Sequence, residues 1–315
     1  MRDGIGRTID YLRLSVTDLC NYRCLYCMGE EGVPKKDHRE ILSIEELSEM
    51  GRAAVACGVR KIRLTGGEPL VRRGILALCR ALRALDGLEE LTLTTNGSLL
   101  PRMAADLKAA GVDRLNVSLD TLDEEKFRRI TRRGELREAL DGLRAAEDAG
   151  FRDIKINTVL MGGVNDDEIP DLVGLTRDRA VSVRFIELMP MGPCAGWPAE
   201  RFIGADAVLR AVPELELDRT DGVAEVYRVP GWAGTVGLIR PVSCGFCDRC
   251  SRIRITADGR LKPCLHSSRE IPLRGLEGQA LEAAIRQAAA AKPERHYLAE
   301  EGRSRTARDM NEIGG

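Results

Sequence analysis

Short runs of alternating hydrophobic and polar residues recur along the first two thirds of the chain, separated by longer helical patterns. The runs are LRLSV, KIRLT, LTLTT, RLNVSL, DIKINTVL and VRFIEL, between Leu12 and Leu188. The spacing between successive runs leaves room for a helical crossover between parallel strands. Because a complete barrel of this type needs eight strand–helix units, six units predict an α/β fold with an incomplete, TIM-like (βα)6 barrel.

The two faces of these predicted strands differ in chemistry. Side chains alternate along a strand, so Leu12 and Leu14 point away from Arg13. Buried parallel strands are usually apolar on both faces, and unpaired charges inside a barrel are costly. The polar face therefore predicts an interior that holds a polar ligand, unless individual strands lie at an edge and expose their charges to water. The ligand should be anionic, because the charged residues of this face are Arg13, Lys61, Arg63, Lys155 and Arg184 against Asp120.

The pattern changes after Met189. The segment MPMGPCAGWP has the turn chemistry of an irregular connection, and short strands and a helix near residues 281–291 follow it. We expect two domains: a partial barrel over residues 1–190 and a smaller module over residues 191–315.

Composition narrows the class of protein. The 315 residues include 48 Lys and Arg and 49 Asp and Glu, a formal net charge of -1, so we expect no nucleic-acid and no membrane partner. No apolar run approaches about 18 residues, and the N-terminus lacks the features of a signal peptide. We therefore expect a cytoplasmic protein, where the ten cysteines are better explained by metal binding than by disulfides.

Two sets of three cysteines are the strongest chemical signals. The first is Cys20-x3-Cys24-x2-Cys27. Structural zinc normally takes four ligands, whereas a four-iron cluster held at three corners keeps one iron open for another ligand. A zinc knuckle or three buried thiols are the alternatives. The second set is Cys247-x2-Cys250-x13-Cys264, which with His266 is also compatible with a structural zinc site.

The residues around both sets carry a resemblance. The first spacing, with Tyr26 before its last cysteine, resembles the radical S-adenosylmethionine (SAM) enzymes. The segments LRLSVTDLCNYRCLYCM, KIRLTGGEPLVRR, FIELMPMG, FCDRCSRIRITADGRLKPCL and the terminal MNEIGG occur in order. Together they resemble the GTP 3',8-cyclases of molybdenum cofactor biosynthesis, the MoaA family, over nearly the whole chain.

The resemblance implies cofactors and site residues. The cofactors are SAM and two [4Fe-4S] clusters, one on Cys20, Cys24 and Cys27 and one on Cys247, Cys250 and Cys264. The implied SAM contacts are Tyr26, Gly67, Ser118 and Met189. The implied GTP contacts are Arg13, Arg63, Thr94, Lys155, Arg252, Ile253 and Arg254, to which the barrel argument adds Lys61 and Arg184. The implied catalytic residues are Arg13, Arg252, Arg254, and Gly314 and Gly315 of a tail that enters the active site.

The implied reaction is that of a lyase. A SAM-derived 5'-deoxyadenosyl radical abstracts the ribose C3' hydrogen of GTP, the C3' radical attacks guanine C8, and reduction gives the cyclised 3',8-cH2GTP. The implied partners are GTP, an external electron donor and a downstream cyclic pyranopterin monophosphate synthase, with the chain a monomer or a homodimer. Two alternatives remain: a radical SAM maturase with an auxiliary cluster that acts on a peptide, and a zinc-stabilised binding protein without catalysis.

Overall fold

A twelve-stranded mixed sheet forms the frame of the protein in a computed structural model that describes residues 1–34 and 36–314. The strands are β1 (Tyr11–Ser15), β2 (Lys61–Thr65), β3 (Glu90–Thr95), β4 (Arg114–Ser118), β5 (Lys155–Leu160), β6 (Ser182–Glu187), β7 (Glu216–Asp221), β8 (Ala224–Arg228), β9 (Thr235–Ile239), β10 (Arg252–Ile255), β11 (Arg260–Lys262) and β12 (Ile271–Pro272). The helices are α1 (Ile44–Ala56), α2 (Ile75–Arg83), α3 (Leu100–Ala109), α4 (Glu124–Thr131), α5 (Leu136–Asp148), α6 (Ile169–Gly174), α7 (Asp206–Ala211), α8 (Gly278–Ala290), α9 (Leu298–Glu301) and α10 (Met310–Ile313).

Strands β1 to β6 lie side by side in chain order and are all parallel. Each connection between them carries one helix, or two between β4 and β5. Helix α1 begins where Ser43 and Glu46 form a capping box, in which each side chain accepts a hydrogen bond from the other residue's backbone N–H. The predicted incomplete (βα)6 barrel is confirmed.

The C-terminal third extends this barrel at both edges. Strand β10 pairs in parallel with β1, and β9 pairs in parallel with β6. Antiparallel strands then continue outward, β11 and β12 on one side and β8 and β7 on the other. Within the described residues β9 and β10 are not paired, so the barrel stays open there and residues 240–251 connect the two edges. The division at residue 190 remains a prediction, since the sheet is continuous across it.

The predicted separation of strand faces is confirmed. Leu12, Leu14 and Ile62 are fully buried in the hydrophobic core under the helices, whereas Arg13 and Arg63 line the barrel interior. Cys57 and Cys79, which belong to neither cysteine set, are buried in the same core. None of the helices in the described part of the chain combines the length and the apolar character needed to span a membrane.

Candidate active site

A cavity of about 720 Å³ runs through the barrel. This size is within the range of small-molecule sites, roughly 300 to 1,000 Å³. Both cysteine sets line the cavity, together with the polar face of the strands. Among the described residues, twelve Lys and Arg and six Asp and Glu contribute to the lining, so an anionic ligand is favoured.

The two cysteine sets lie at opposite ends of this cavity. Cys20 follows the carboxyl end of β1. Cys250 comes just before the first residue of β10, which is parallel to β1. Cys264 follows β11, which runs antiparallel to β10 and pairs Lys262 with Arg254. The first set therefore lies at the carboxyl ends of the barrel strands and the second at their amino ends.

The three cysteines of the first set lie in one compact loop, and not every thiol has a cation nearby. The Cys27 N–H donates to the Cys24 carbonyl over 2.9 Å, and the Tyr22 N–H donates to Cys20 Sγ over 3.3 Å. Burial raises the pKa of all three thiols, that of Cys20 to about 11 with a contribution from Glu68, and the charge of neighbouring sulfurs raises the pKa of Cys24 and of Cys27 further. A bound metal is therefore needed to hold these groups as thiolates.

The residues implied for SAM contact line the same cavity: Tyr26, Gly67, Ser118 and Met189. The Tyr26 hydroxyl donates to Asp120 Oδ2 over 2.7 Å. A Cβ on Gly67 would collide with the Leu19 carbonyl, so glycine is needed here for packing against the cysteine loop as well as for any ligand.

Glu68 fixes the turn that follows these glycines. Its carboxylate accepts hydrogen bonds from the Leu70 N–H, the Asn96 N–H and the Thr95 hydroxyl, at distances of 2.7 to 3.0 Å. Burial raises the pKa of Glu68 to about 7, and these hydrogen bonds oppose that rise. Glu68 thus connects the turn after β2 to the end of β3, at the end of the barrel that carries the first cysteine set.

The second cysteine set lies in a cationic environment. Burial raises the pKa of Cys250, but the charges of Arg252 and Lys292 outweigh it and lower that pKa to about 6. The Lys292 ammonium group donates to the carbonyls of Arg252 and Pro263, both over 2.8 Å. The guanidinium of Arg252 also lies 5.0 Å from the ring centroid of Phe246. Cationic neighbours favour the thiolate that a metal requires.

The donor sets fit clusters better than single ions. Among the described residues, no three Cys, His, Asp or Glu side chains converge closely enough to hold one metal ion. Yet the thiols of each set are near enough to shift one another's pKa. The thiolates of a [4Fe-4S] cluster bind different irons and so lie farther apart than the ligands of one ion. Three sulfurs at each end of the cavity are compatible with two clusters, each with one open iron.

A row of arginines crosses the barrel between the two sets. Arg254, Arg13 and Arg63 are register neighbours on β10, β1 and β2. The Arg63 Nε donates to the Thr92 hydroxyl over 3.2 Å, and the guanidinium lies 5.5 Å from the ring centroid of Tyr11. Burial lowers the pKa of all three arginines, and the charges of neighbouring arginines contribute to the lowering. An anionic ligand would relieve this repulsion.

Two polar side chains of the cavity point to the same conclusion. Thr94 Oγ1 and Asn116 Nδ2 are buried and have no hydrogen-bond partner within the described chain. Buried polar atoms are rarely left unpaired in folded proteins, so a ligand is the natural partner. Both residues lie on the ligand side of their strands.

Lys155 and Arg184 are already paired. Asp221, at the end of β7, accepts hydrogen bonds through Oδ2 from Lys155 Nζ over 3.2 Å and from Arg184 Nη2 over 2.7 Å. Burial, followed by the charges of Arg184 and Arg114, lowers the pKa of Lys155 to about 8. Although burial alone raises the pKa of Asp221, its two cations lower it to about 2. No pattern in the sequence indicates Asp221 as the partner of these two residues.

The remaining predicted residues take different positions. Lys61 lines the cavity with an exposed side chain. Ile253 is fully buried in the hydrophobic core and is not part of the lining, so only its backbone is available to a ligand. The Gly314 carbonyl accepts a hydrogen bond of 2.5 Å from Arg254 Nη1, which brings the tail to the arginine row. Gly315 lies outside the described residues.

Several cavity residues were missed by sequence reasoning. Arg114 donates through Nε to Glu90 Oε1 over 2.9 Å, which neutralises its charge. Glu187, at the end of β6, accepts from the backbone N–H groups of Val242 and Ser243 at 3.0 and 2.9 Å and thereby holds the segment that leads to the second cysteine set. Strand alternation could have found Arg114, which is two residues before Asn116.

Comparison with known families matches both parts of the chain. Residues 14–176 match the Radical SAM superfamily, and residues 181–298 match Molybdenum Cofactor Synthesis C. The first match covers half of the chain and includes Cys20, Cys24 and Cys27. The second includes Cys247, Cys250 and Cys264.

Similar proteins extend along the full length. The GTP 3',8-cyclase of Peptoclostridium acidaminophilum is 51% identical over 319 residues, covering 99% of this chain and 98% of that protein. The GTP 3',8-cyclase of Geobacter sulfurreducens is 48% identical over 322 residues, covering 99% of each. That of Alkaliphilus oremlandii is 44% identical over 320 residues and 100% of both chains.

Solved structures share the fold. The crystal structure of Streptococcus suis SuiB has a TM-score of 0.62 and 15% sequence identity, covering 94% of this chain and 68% of that chain. Methylornithine synthase (PylB) has a TM-score of 0.52 and 18% identity, covering 65% of this chain and 62% of that chain. At these identities the similarity concerns the fold alone.

Proposed function

The chain belongs to the GTP 3',8-cyclase family of the radical SAM superfamily, and on that premise we propose that it converts GTP to 3',8-cH2GTP. This is the first step of molybdenum cofactor biosynthesis, consistent with the Molybdenum Cofactor Synthesis C match. In the reaction the 5'-deoxyadenosyl radical takes a hydrogen atom from ribose C3', and the carbon radical left on the nucleotide attacks guanine C8. One electron, from an external donor, and one proton then complete the product. The enzyme is a radical SAM lyase.

One observation supports this function most strongly: two three-cysteine sets lie at opposite ends of one cationic cavity. Cys20, Cys24 and Cys27 would hold a [4Fe-4S] cluster, which would supply the electron that cleaves SAM to methionine and the 5'-deoxyadenosyl radical. Cys247, Cys250 and Cys264 would hold a second cluster, whose open iron is suited to the guanine base. The two ligands would then occupy the space between the two cysteine sets, where their reacting atoms would meet.

The protein's own side chains would position the nucleotide. Arg13, Arg63 and Arg254 present a continuous cationic row, and guanidinium groups bind phosphate oxygens in a fixed fork geometry. Arg252 extends this row toward the second cysteine set. We assign the polyphosphate and ribose contacts to this row together with Thr94, Lys155, Arg184, Lys61 and the backbone of Ile253.

Other roles follow from position in the cavity. Tyr26, Gly67, Ser118 and Met189 are assigned to SAM, because they line the cavity near the first cysteine set. Arg13, Arg252 and Arg254 touch the space where the nucleotide would react, and Gly314 and Gly315 would bring the tail beside it. A tail glycine suits this site, because a Cβ on Gly314 would collide with the Thr65 hydroxyl.

The remaining assignments concern the setting of the reaction. We propose an external one-electron donor, a downstream cyclic pyranopterin monophosphate synthase and a monomer or homodimer. The division into residues 1–190 and 191–315 follows the change of pattern at Met189. A cytoplasmic location agrees with ten cysteines that are all free thiols in the structure.

The two alternatives drawn from the sequence are not favoured. Relatives that match along the whole chain are GTP 3',8-cyclases, and a zinc-stabilised binding protein has no need of a cavity between its metal sites. A peptide maturase would need a groove for a chain, whereas the lining here carries an excess of cations over acids, which suits a small polyanion.

Anaerobic incubation with GTP, SAM and a reductant tests the function directly. The expected products are 5'-deoxyadenosine, methionine and, only when GTP is present, 3',8-cH2GTP, an isomer of GTP that chromatography separates from it before mass analysis. Deuterium placed at the ribose C3' should appear in 5'-deoxyadenosine. SAM cleavage without a new nucleotide product would contradict the proposal.

A further inference from the structure

One acidic hairpin reaches into the cationic cavity. Strands β7 and β8 are joined by a tight turn in which Gly222 has a φ of 61°, and Asp221, Gly222 and Val223 at its tip line the cavity. No other part of these two strands enters the lining. The tip therefore brings one carboxylate to a site that otherwise attracts anions.

The carboxylate of Asp221 binds two cations of the barrel at once. Its Oδ2 accepts from Lys155 Nζ at 3.2 Å and from Arg184 Nη2 at 2.7 Å. Gly237 gives Arg184 the room for this contact, because a Cβ there would lie 3.0 Å from Arg184 Cγ. One oxygen bridging two cations has the geometry of a phosphate oxygen held by the same pair.

The two sides of this contact differ in how firmly they are held. Lys155 and Arg184 lie on the central strands β5 and β6 and are each 8% exposed. The side chain of Asp221 is 47% exposed. All six residues of β7 are exposed, and among the described strands β7 pairs with β8 alone, at the edge of the sheet. Moving the hairpin tip therefore disturbs less packing than moving either cation.

The pairing of Asp221 with Lys155 and Arg184 changes how strongly the cavity attracts an anion. With Asp221 in place, one negative charge is shared between two of the cavity's cations, and a ligand phosphate must replace the carboxylate before it gains their full attraction. Apart from Asp221, the acid nearest Lys155 in the described chain is Asp153, whose carboxylate lies 3.9 Å from Nζ. Arg184 has no other ion pair there.

We propose that Asp221 is a specificity-determining residue: it occupies the polyphosphate subsite of Lys155 and Arg184 in the free protein and is displaced by the ligand's phosphates. The identity of the nucleotide rests on the proposed function, whereas the displacement of Asp221 by phosphate groups does not. A ligand gains at this subsite only if it carries enough negative charge to replace a carboxylate. A nucleoside without phosphates gains nothing there.

The test compares Asp221→Asn with Asp218→Asn in the reconstituted holoenzyme, by calorimetric titration with tripolyphosphate, GTP and guanosine. Asp218 is the matched control, since it lies on the same strand, has the same charge and pairs with Arg219 and Arg228 outside the cavity. In Asp221→Asn the affinity for tripolyphosphate and for GTP should rise about tenfold, with guanosine unchanged. Asp218→Asn should stay within about twofold of wild type for every ligand.

The outcomes separate this inference from the proposed function. Unchanged or weaker tripolyphosphate binding in Asp221→Asn overturns the inference; weaker binding would mean that Asp221 serves the ligand, for example through a bridging cation. If wild type binds tripolyphosphate but not GTP, the proposed function fails while the tripolyphosphate comparison still decides the role of Asp221. Thermal unfolding of the free variant checks that it folds: its melting temperature should fall, and tripolyphosphate should raise it more than in wild type.

Discussion

Replacing Arg63 by alanine should weaken GTP binding without affecting SAM. Arg63 is 8% exposed, and its hydrogen bond to the Thr92 hydroxyl uses only Nε. No ion pair to a carboxylate neutralises it among the described residues, so its charge is available to a ligand. A hydrogen bond to a charged group contributes about 1.5 to 3 kcal/mol, which corresponds to a loss of about 10- to 100-fold in affinity.

Calorimetric titration of the anaerobic holoenzyme with GTP, and separately with SAM, measures the effect. Arg63→Lys should lie between wild type and Arg63→Ala, because lysine keeps the charge but lacks the planar fork. Arg60→Ala is the control, since Arg60 is next to β2 but pairs with Glu89 on the surface, with a side chain 56% exposed. Unchanged GTP affinity in Arg63→Ala would remove Arg63 from the nucleotide site and refute the reasoning from strand alternation.

Three further changes test separate parts of the site. Cys24→Ala should abolish 5'-deoxyadenosine formation in a chromatographic assay, and retained formation would contradict the assigned ligands of the first cluster. Because the Lys155 ammonium loses its proton as pH rises through its pKa of about 8, GTP affinity should be highest below that pH and fall above it. Lys155→Arg should remove this dependence of GTP affinity on pH. A fall that persists in the variant would implicate another group. Lys292→Met removes the ammonium group that joins two carbonyls beside the second cysteine set, so bound iron should fall from about eight to about four per chain, and full iron content would show that Lys292 is dispensable there.

The interior of the barrel could be predicted from local sequence because strand periodicity is local. Once Leu12 and Leu14 are directed to the helices, Arg13 must face the cavity, and the same argument holds for Arg63 and Lys155. The two cysteine sets were equally visible, since their spacing and the segments around them are continuous in sequence. The alternation rule also applied to Arg114, which begins β4.

The partners of these residues were not predictable, because they come from distant parts of the chain. Asp221 reaches Lys155 across 66 positions, from a strand whose residues are all exposed and carry no core pattern. The pairing of β10 with β1 adds a strand from the C-terminal third to the first edge of the barrel, and no periodicity reports which edge a strand will join. It is this non-local pairing that brings Arg254 beside Arg13 and sets the second cysteine set opposite the first.

Metal analysis of three anaerobically prepared proteins tests the central claim most directly. Wild type should contain about eight irons per chain, and the triple alanine variants of Cys20, Cys24 and Cys27 or of Cys247, Cys250 and Cys264 should each contain about four. The first variant should still bind GTP, because the arginine row and the second set remain. Stoichiometric zinc in wild type, or an iron content that either triple variant leaves unchanged, would contradict two clusters facing one nucleotide cavity.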